Sequence, residues 1–384
     1  MNILLSLDNY DHRTGGADLC VRALAQALAA RGHRVEVLEE GHEPASYDDG
    51  PVRVHTHPLP SAGFVRDSGR ETLKWNRLWH GVLEEFLAGR AVQLILTQNR
   101  LLQSTVAVAA ELGIPVAVLV HGFSVFCPTK FRDRDALADC DGRCKRCLPW
   151  RLRLKYRSIR RNLDAYERAL HAASLVIANS HYTQQVIRQF CQADAEVVYP
   201  TMDLGLHLRE DDPYEHDRVL FVKPRSAKGL PIFLEIARRM PDVRFLVVGS
   251  ARFHSRRKLR RLTNVECIGW VGDMRSIYAR TRILLGPSIA LEPFGRVFAE
   301  AGAGGIPSVA SRQGGIPEAV GEGGILIDEI LDIDRWVAAL RSLEDPAAYA
   351  ACSARARENA SRLSSAVSLR QFLEAVRKAT GLIL

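Results

Sequence analysis

Short apolar runs alternate with longer amphipathic segments along most of the 384-residue chain. The short runs are rich in Val, Ile and Leu, which is typical of strands buried on both faces of a sheet. The longer segments repeat apolar residues three and four positions apart, which is typical of helices. This alternation predicts an α/β fold in which crossover helices join the strands of parallel sheets.

The predicted strands fall into two groups separated by a linker. The first group is Ile3–Leu7, Val35–Leu38, Leu94–Thr97, Val116–Val120 and Leu175–Ala178, and the second is Val219–Val222, Phe245–Val248, Ile283–Leu285 and Ser308–Ala310. Between the groups, Tyr199–Asp203 and Arg209–Asp217 have no strand pattern and accumulate Pro and charged residues, as linkers do. We therefore predict two α/β domains, residues 1–200 and 201–365.

The composition and the cysteine content indicate a cellular location. The chain is 47% hydrophobic and 25% charged, as an ordinary globular protein is. Met1–Leu7 reads as a first strand rather than a secretory signal, and no apolar run reaches the ~18 residues of a membrane span. Eight cysteines in such a chain favour thiols or metal ligands in a reducing cytosol over disulfides. We predict a cytoplasmic protein.

Two carboxylates with seven residues between them stand in the segment Ala290–Ala310, among apolar and small residues. If Gly295–Gly304 is a helix, Glu292 and Glu300 are separated by roughly 12 Å along its axis, which is about the span of a nucleotide-sugar. One carboxylate could accept hydrogen bonds from a hexose and the other from a ribose, while backbone N–H groups near Gly295 face a diphosphate. The alternative is an amphipathic helix with two solvated glutamates.

These residues resemble the Glu-x7-Glu motif of retaining family 4 glycosyltransferases. Phe294-Gly295 follows the first Glu as it does in the family, and Ala303–Pro307 matches the family's Ala-x-Gly-x-Pro tail. The resemblance implies the GT-B fold, with two Rossmann-like domains whose parallel sheets face a central cleft. It also implies that residues 1–200 bind the acceptor, that residues 201–365 bind the donor, and that a C-terminal helix, residues 366–384, crosses back to the first domain.

The resemblance also assigns the start of the predicted helix to the donor. Phe294, Gly295, Arg296 and Val297 are expected to line the nucleotide-sugar together with Glu300.

A basic loop follows the first strand of the second group. Lys223, Arg225 and Lys228 lie around this turn, and such cations can neutralise a diphosphate leaving group without a divalent metal. The alternative is a solvated basic loop. Lys228-Gly229 matches the family's Lys-Gly, but the position five residues before Lys228, usually Arg, is Lys223. It therefore stays open whether Lys223 or Arg225 makes the main phosphate contact.

Two features of the first domain are candidates for the same site. Gly15-Gly16 precedes a predicted helix, Asp18–Arg31, and could bring backbone close to a ligand, although a simple tight turn explains the pair as well. His121 ends a predicted strand, where a structural histidine is common. The resemblance places the glycine loop against the diphosphate and the acceptor, and makes His121 a donor-sugar contact.

Four cysteines, Cys127, Cys140, Cys144 and Cys147, form a C-x12-C-x3-C-x2-C pattern in the polar segment 127–147. Four thiolates could hold a tetrahedral structural zinc, with an iron–sulfur cluster as the weaker alternative. Because the spacing fits no standard zinc finger, four thiols without a metal remain an equal alternative.

Positive charge concentrates after these cysteines. Arg143 to Arg161 contains nine Lys and Arg and no acidic residue, and apolar residues from Leu152 to Leu170 follow helical spacing. This predicts an amphipathic helix whose cationic face could rest on anionic lipid, bind an acidic acceptor, or simply be solvated. The segment lacks the interleaved aromatic residues of a stacking platform, so we expect no nucleic-acid partner.

The resulting functional hypothesis is a retaining glycosyltransferase. It would move a hexose from a nucleotide diphosphate-sugar, with UDP favoured, to a hydroxyl of a lipid-linked, polysaccharide or small-molecule acceptor. Glu292, Lys228 and His121 would act at the reacting sugar, and catalysis would require no cofactor. The alternatives are a sugar-nucleotide epimerase and a non-catalytic nucleotide-sugar-binding protein. A peripheral position at the inner face of a membrane is an extension of the cytoplasmic prediction.

Overall fold

The computed structural model describes residues 1–10, 15–59, 70–129, 140, 144, 147, 148, 150–209 and 211–384. They form two compact units. The first contains the described residues up to Met202 together with Ala366–Leu384, and the second contains those of Asp203–Ser365.

The first unit is built on an eight-stranded sheet with the order β3-β4-β2-β1-β5-β6-β7-β8. Its strands are β1 Asn2–Leu7, β2 Arg34–Gly41, β3 Ala45–Asp49, β4 Val52–Pro58, β5 Leu94–Gln98, β6 Val116–Val120, β7 Leu175–Ala178 and β8 Glu196–Val197. Only the β3–β4 pair among these strands is antiparallel. Its helices before the linker are α1 Gly16–Ala30, α2 Arg70–Leu87, α3 Leu102–Glu111, α4 Trp150–Arg153, α5 Tyr156–Ala172 and α6 His181–Cys191.

The second unit has a six-stranded, wholly parallel sheet with the order β11-β10-β9-β12-β13-β14. Its strands are β9 Arg218–Val222, β10 Arg244–Val248, β11 Val265–Ile268, β12 Thr281–Gly286, β13 Ser308–Ser311 and β14 Gly324–Ile327. Its helices are α7 Leu230–Arg239, α8 Phe253–Leu259, α9 Arg275–Tyr278, α10 Arg296–Ala303, α11 Ile316–Val320, α12 Ile333–Ser342 and α13 Pro346–Arg362.

The last helix, α14 Ser365–Thr380, packs on the first unit. Its buried residues Phe372, Ala375 and Val376 belong to the same apolar core as strands β1, β2 and β5. At its C-terminal end, Lys378 Nζ lies 2.5 Å from Glu196 Oε1 of β8. The apolar stripe of α14 is therefore buried by first-unit residues.

The α/β class with two parallel sheets, predicted from the alternating pattern, is confirmed. Every predicted strand is present, since continuous apolar runs are a strong signal for strands buried on both faces. The pattern did not identify β3, β4, β8, β11 and β14. The sequence of β3, Ala-Ser-Tyr-Asp-Asp, is almost wholly exposed. An edge strand that buries no face leaves no periodic signal.

The basic amphipathic segment differs in part from its prediction. Helix α5 buries Ile159, Leu163, Tyr166 and Leu170, as the apolar spacing predicted. The segment is not one continuous helix, however, because α4 ends at Arg153 and α5 begins at Tyr156. Several of the predicted cations, Arg143, Lys145 and Arg146, lie outside the described residues. No helix in the described part of the chain combines the length and apolar character needed to cross a bilayer.

Candidate functional site

The predicted basic loop of the second unit closes onto the loop that follows β12. The loop after β9 forms a short 3-10 helix, Ser226–Lys228, and the backbone N–H groups of Ile289 and Ala290 donate to Ala227 O at 3.1 and 3.0 Å. Both loops follow the carboxyl ends of adjacent parallel strands, where α/β sheets bind ligands.

A glycine allows these two loops to meet. Gly229 has φ +83°, and a Cβ at this position would lie 1.6 Å from Pro287 O. No side chain fits there, so the Lys-Gly pair is needed for the backbone contact that positions Lys228.

Glu292 lies in the loop after β12 and is held by its side chain and its backbone. Lys228 Nζ forms an ion pair with Glu292 Oε1, and Ser288 Oγ donates to the same oxygen at 2.8 Å. The backbone N–H of Gly315 donates to Glu292 O at 2.7 Å. With its side chain only 15% exposed, Glu292 points into this loop cluster rather than into bulk solvent.

Lys223 interacts electrostatically with Glu292 and with three other cations. Lys223 is an exposed residue, but partial loss of water around its ammonium group lowers its pKa. The positive charge of Lys228 lowers that pKa further, as do the charges of Arg225 and Arg296, while Glu292 opposes them. We call Lys223, Arg225, Lys228 and Arg296 the cation cluster. Its charge exceeds that of the neighbouring carboxylates, which favours an anionic ligand.

Glu300 lies on α10 and is only 8% exposed. Tyr278 Oη donates to Glu300 Oε2 at 2.9 Å, and Arg296 donates to Oε1 through Nε at 3.2 Å and Nη2 at 2.8 Å. Burial, followed by the charge of Glu300, raises the pKa of Tyr278, so the phenol keeps its proton and remains a donor. The sequence pattern did not identify Tyr278, which stands on α9.

The N-terminal end of α10 is a tight turn. Gly295 has φ +104°, and a Cβ there would lie 2.8 Å from Cδ2 of Phe298. Phe294 is 2% exposed and anchors the turn, while Arg296 and Val297 are half-buried in the first turn of the helix. The predicted helix and its positive N-terminal end are therefore next to Glu292 in the chain.

The predicted first-unit residues lie at the carboxyl ends of β1 and β6. Gly15 is the residue before α1, and Gly16 begins that helix. The half-buried His121 directly follows the wholly buried strand β6. The intervening residues 11–14 of the glycine loop lie outside the described residues.

An acidic residue that the sequence pattern did not single out lies at the start of α1. Asp18 is buried, accepts a hydrogen bond from Gln98 Nε2 at 3.2 Å, and has Oδ2 3.1 Å from where a Cβ on Gly15 would lie. This carboxylate already interacts favourably with the positive end of α1. A diphosphate at Gly15-Gly16 would meet that negative charge.

A second set of missed residues surrounds Arg100. Its Nε lies 3.1 Å from Asp8 Oδ2, and its Nη2 lies 3.3 Å from Glu40 Oε2. Burial raises the pKa of Asp8 and that of Glu40, and the charge of Arg100 acts against this shift in both. Asp8 follows β1 directly, a position at which the sequence could have identified it. This polar cluster at the sheet edge is able to bind hydroxyl groups.

Cys127, Cys140, Cys144 and Cys147 are all among the described residues. Burial raises the pKa of Cys144 to about 12, and the neighbouring thiols of Cys127, Cys140 and Cys147 contribute further. In the described part of the chain, no three of these four sulfurs lie within 4.8 Å of one another, and metal binding by the four cysteines stays a prediction.

The described residues include another group of potential metal ligands. His80, Glu84 and Glu111 place three ligand atoms within 4.8 Å of one another. Each ring nitrogen of His80 faces a different carboxylate at 3.2 Å. Because the two nitrogens point in different directions, this geometry is that of a histidine bridging two carboxylates rather than of three ligands sharing one cation.

Comparisons with known proteins show which families and structures this chain is similar to. The family model described as Glycosyltransferase Family 4 matches residues 14–206, which is half of the chain, and the one described as Glycosyl transferases group 1 matches residues 217–345. The D-inositol 3-phosphate glycosyltransferase of Segniliparus rotundus is 30% identical over 198 residues, which cover 44% of this chain and 44% of that protein.

A second curated relative is the GDP-mannose-dependent monoacylated alpha-(1-6)-phosphatidylinositol monomannoside mannosyltransferase of Corynebacterium glutamicum. It is 34% identical over 147 residues, which cover 34% of this chain and 36% of that protein. The chain thus matches less than half the length of either relative.

Solved structures match nearly the whole chain. Sucrose-phosphate synthase from Thermosynechococcus elongatus has a TM-score of 0.77 at 19% identity, with 99% of this chain and 100% of that chain covered. Anabaena HepE in complex with UDP-glucose has a TM-score of 0.68 at 22% identity, with 99% and 100% covered. These similarities confirm the GT-B class of two Rossmann-like units. With one glycosyltransferase model matching half of the chain and another matching the second unit, the protein belongs to glycosyltransferase family 4.

Proposed function

We propose that the protein is a retaining glycosyltransferase that moves a hexose from a nucleotide diphosphate-sugar to an acceptor hydroxyl. The observation that carries this proposal is the cation cluster around Glu292, beside the positive N-terminal end of α10. The negative charge of a diphosphate would neutralise the cation cluster. The hydroxyl groups of a sugar attached to that diphosphate can donate hydrogen bonds to the carboxylate of Glu292.

The ion pair between Lys228 and Glu292 exchanges partners when the donor binds. Lys228, with Lys223 or Arg225, moves to the phosphate oxygens, and Glu292 accepts hydrogen bonds from the donor hexose. As the bond between the anomeric carbon and the phosphate oxygen breaks, the cations stabilise the growing charge on the leaving group without a divalent metal. The acceptor oxygen attacks on the same face, and its proton passes to the leaving phosphate.

Glu300 is the proposed ribose contact. Its ion pair with Arg296 and its hydrogen bond from Tyr278 orient the carboxylate, so that it can accept hydrogen bonds from vicinal ribose hydroxyls. Phe294, Gly295 and Val297 complete this end of the donor site. On the first unit, we propose that His121 contacts the donor sugar and that the backbone of Gly15-Gly16 lies close to the diphosphate and the acceptor.

UDP-sugars are the favoured donors. The Anabaena structure in complex with UDP-glucose supports UDP, and the corynebacterial relative makes GDP-mannose the second candidate. That relative also supports a lipid-linked acceptor. Trp150 and Leu154 are 68% and 84% exposed beside cations of α4 and α5, which supports a peripheral contact with the cytoplasmic face of an anionic membrane.

Donor turnover tests the proposal directly. We expect slow release of UDP from one UDP-sugar, or of GDP from GDP-mannose, and faster release when polyol-phosphate or lipid-linked acceptors are added. NMR of the product should show the anomeric configuration of the donor. The Glu300→Ala variant should bind the donor at least about tenfold more weakly, since it loses hydrogen bonds to a charged group.

Other results would contradict the proposal. An epimerase would convert the donor sugar and release no nucleotide diphosphate, and a binding protein would bind the donor without turnover. An inverted product would contradict retention, and unchanged donor affinity in Glu300→Ala would contradict the ribose assignment.

The affinity for UDP should fall as the pH rises from 7 to 9. A lowered pKa means that Lys223 loses its proton at a lower pH than an ordinary lysine, and the neutral amine attracts a diphosphate less. We expect a loss of up to about tenfold, or about 1.4 kcal/mol of binding free energy. Isothermal titration calorimetry at both pH values measures it.

Lys223→Arg is the matched control, because a guanidinium keeps its charge throughout this range. The affinity of Lys223→Arg for UDP should change much less between pH 7 and 9. Ionisation of UDP itself affects the variant and the unmodified protein equally. An identical pH dependence of the two proteins would exclude Lys223 as the titrating group.

A further inference from the structure

Arg209 lies in the predicted linker between the two groups of strands, and the structure places it in the second unit. Its side chain is only 9% exposed. The guanidinium donates through Nη1 to Tyr278 O and through Nη2 to Ala279 O, the latter at 3.4 Å. These carbonyls stand at the C-terminal end of α9, where the helix itself offers no N–H partner. Arg209 therefore caps α9.

An acidic partner fixes the orientation of this guanidinium. Asp211 accepts a hydrogen bond from Arg209 Nε at 2.8 Å and forms an ion pair with Nη2. The hydrogen bonds from Arg209 and then from His216 hold the pKa of Asp211 well below its usual value, so this carboxylate stays charged at neutral pH. The guanidinium is therefore engaged on two sides at once, by Asp211 and by α9.

The same segment packs against the ring of Tyr278 and the end of α10. The His207 ring makes a T-shaped contact with the Tyr278 ring, with 5.4 Å between the centroids. A Cβ on Gly304, which directly follows α10, would lie 3.1 Å from both Arg209 Cδ and His207 O, so glycine allows this close approach. Tyr278 is therefore held at its backbone by Arg209 and at its ring by His207.

Tyr278 transmits this placement to Glu300. The two residues are only 2% and 8% exposed, and the Tyr278 hydroxyl donates to Glu300 Oε2 at 2.9 Å. The hydrogen bonds from Arg296 go to the other carboxylate oxygen, Oε1. Because a tyrosine ring is rigid, a shift of the Tyr278 backbone moves its hydroxyl as well. The contact of Arg209 with α9 thus bears on the position of the Glu300 carboxylate.

We propose that Arg209 is a positioning residue for donor binding. It caps α9, which holds Tyr278, and Tyr278 holds the Glu300 carboxylate where the ribose hydroxyls donate to it. The inference rests on the proposed function, in which Glu300 is the ribose contact. It adds a consequence for specificity, because a site built to hydrogen-bond a hydroxyl rejects the analogue that lacks it. Without Arg209, the protein should lose its preference for a nucleotide that carries the ribose hydroxyls.

The binding of two nucleotides tests this inference. UDP and 2′,3′-dideoxy-UDP differ only in the ribose hydroxyls, and isothermal titration calorimetry measures the affinity for each. The unmodified protein should prefer UDP by at least about tenfold, since the dideoxy compound loses hydrogen bonds to a charged group. In Arg209→Met this preference should fall below about threefold, with the affinity for 2′,3′-dideoxy-UDP nearly unchanged. A general loss of structure would instead weaken the binding of both nucleotides equally.

Arg282→Met is the matched control. Arg282 is a half-buried arginine of the same unit that also donates to a backbone carbonyl, Leu343 O, at 3.1 Å. Its guanidinium lies over the rings of Tyr214 and Tyr349 and takes no part in the contacts of Tyr278 and Glu300 described above. This variant should keep the preference for UDP.

Tyr278→Phe gives a second route to the same answer. It removes only the hydroxyl through which Arg209 is proposed to act, and it should lower the preference for UDP as Arg209→Met does. Adding Arg209→Met to Tyr278→Phe should lower this preference no further, since the two residues act in one chain of contacts. Should Arg209→Met not fold, Arg209→Lys replaces it, because an ammonium keeps the charge but not the fork that donates to two carbonyls.

The outcomes separate this inference from the proposed function. An unchanged preference for UDP in Arg209→Met, an equal loss in Arg282→Met, or a further loss in the double variant would overturn the role of Arg209 and leave the ribose assignment of Glu300 intact. Equal affinities of the unmodified protein for the two nucleotides would overturn the ribose assignment and this inference with it. GDP and 2′,3′-dideoxy-GDP serve as the pair if the protein binds GDP instead of UDP.

Discussion

Lys228→Ala is expected to lower kcat for sugar transfer by about 10²–10³-fold, the effect of removing one group that stabilises charge developing in a transition state. Lys228 pairs with Glu292 and interacts electrostatically with Lys223, so its charge is available to stabilise a departing diphosphate. The effect should appear in kcat more than in KM, because the charge on the leaving group grows as the bond breaks. Steady-state rates of nucleotide diphosphate release measure both constants.

Lys258→Ala is the control for this variant. Lys258 is an exposed lysine on α8 of the same unit and lies outside the cation cluster. The Lys258→Ala variant should keep a kcat within about twofold of that of the unmodified enzyme, since isolated surface charges contribute little. A Lys228→Ala enzyme with normal kcat, or an equal loss in Lys258→Ala, would remove Lys228 from the proposed mechanism.

Gly229→Ala is expected to destabilise the second unit by at least about 3 kcal/mol, the sum of an unfavourable backbone conformation and a steric clash. The added Cβ would lie 1.6 Å from Pro287 O, so the loop of Lys228 and the loop of Glu292 must separate. We therefore also expect donor binding to be lost. Hydrogen exchange of core amides in the second unit measures the stability change.

Gly32→Ala separates the two causes of this effect. Gly32 has φ +87°, close to the +83° of Gly229, but no atom lies within 4 Å of a Cβ there. We therefore expect Gly32→Ala to lose only the cost of the left-handed backbone, about 1–2 kcal/mol of the free energy of unfolding. Hydrogen exchange of core amides in the first unit measures this loss. Equal losses in the two variants would show that the contact with Pro287 is not what requires glycine.

The sequence predicted the candidate site unevenly. The types and positions of Glu292, Lys228 and Lys223 were visible, because charged residues after buried strands are rare enough to stand out. Tyr278 was not visible, because it reaches Glu300 from a short helix 22 positions earlier in the chain. Asp18 was also missed as a functional feature, since an acidic residue in the first turn of a helix is common.

The sequence by itself determined nine of the fourteen described strands, their division into two groups with helices between them, and the residue types available for chemistry. These follow from periodicity and local preference, which act over a few neighbouring residues. Only the tertiary structure decided that Lys228 pairs with Glu292, 64 positions away, and that Arg225, Arg296 and Lys223 share their neighbourhood. The physical reason is that charges interact through space, so their distances are set by how the strands pack and not by their order in the chain.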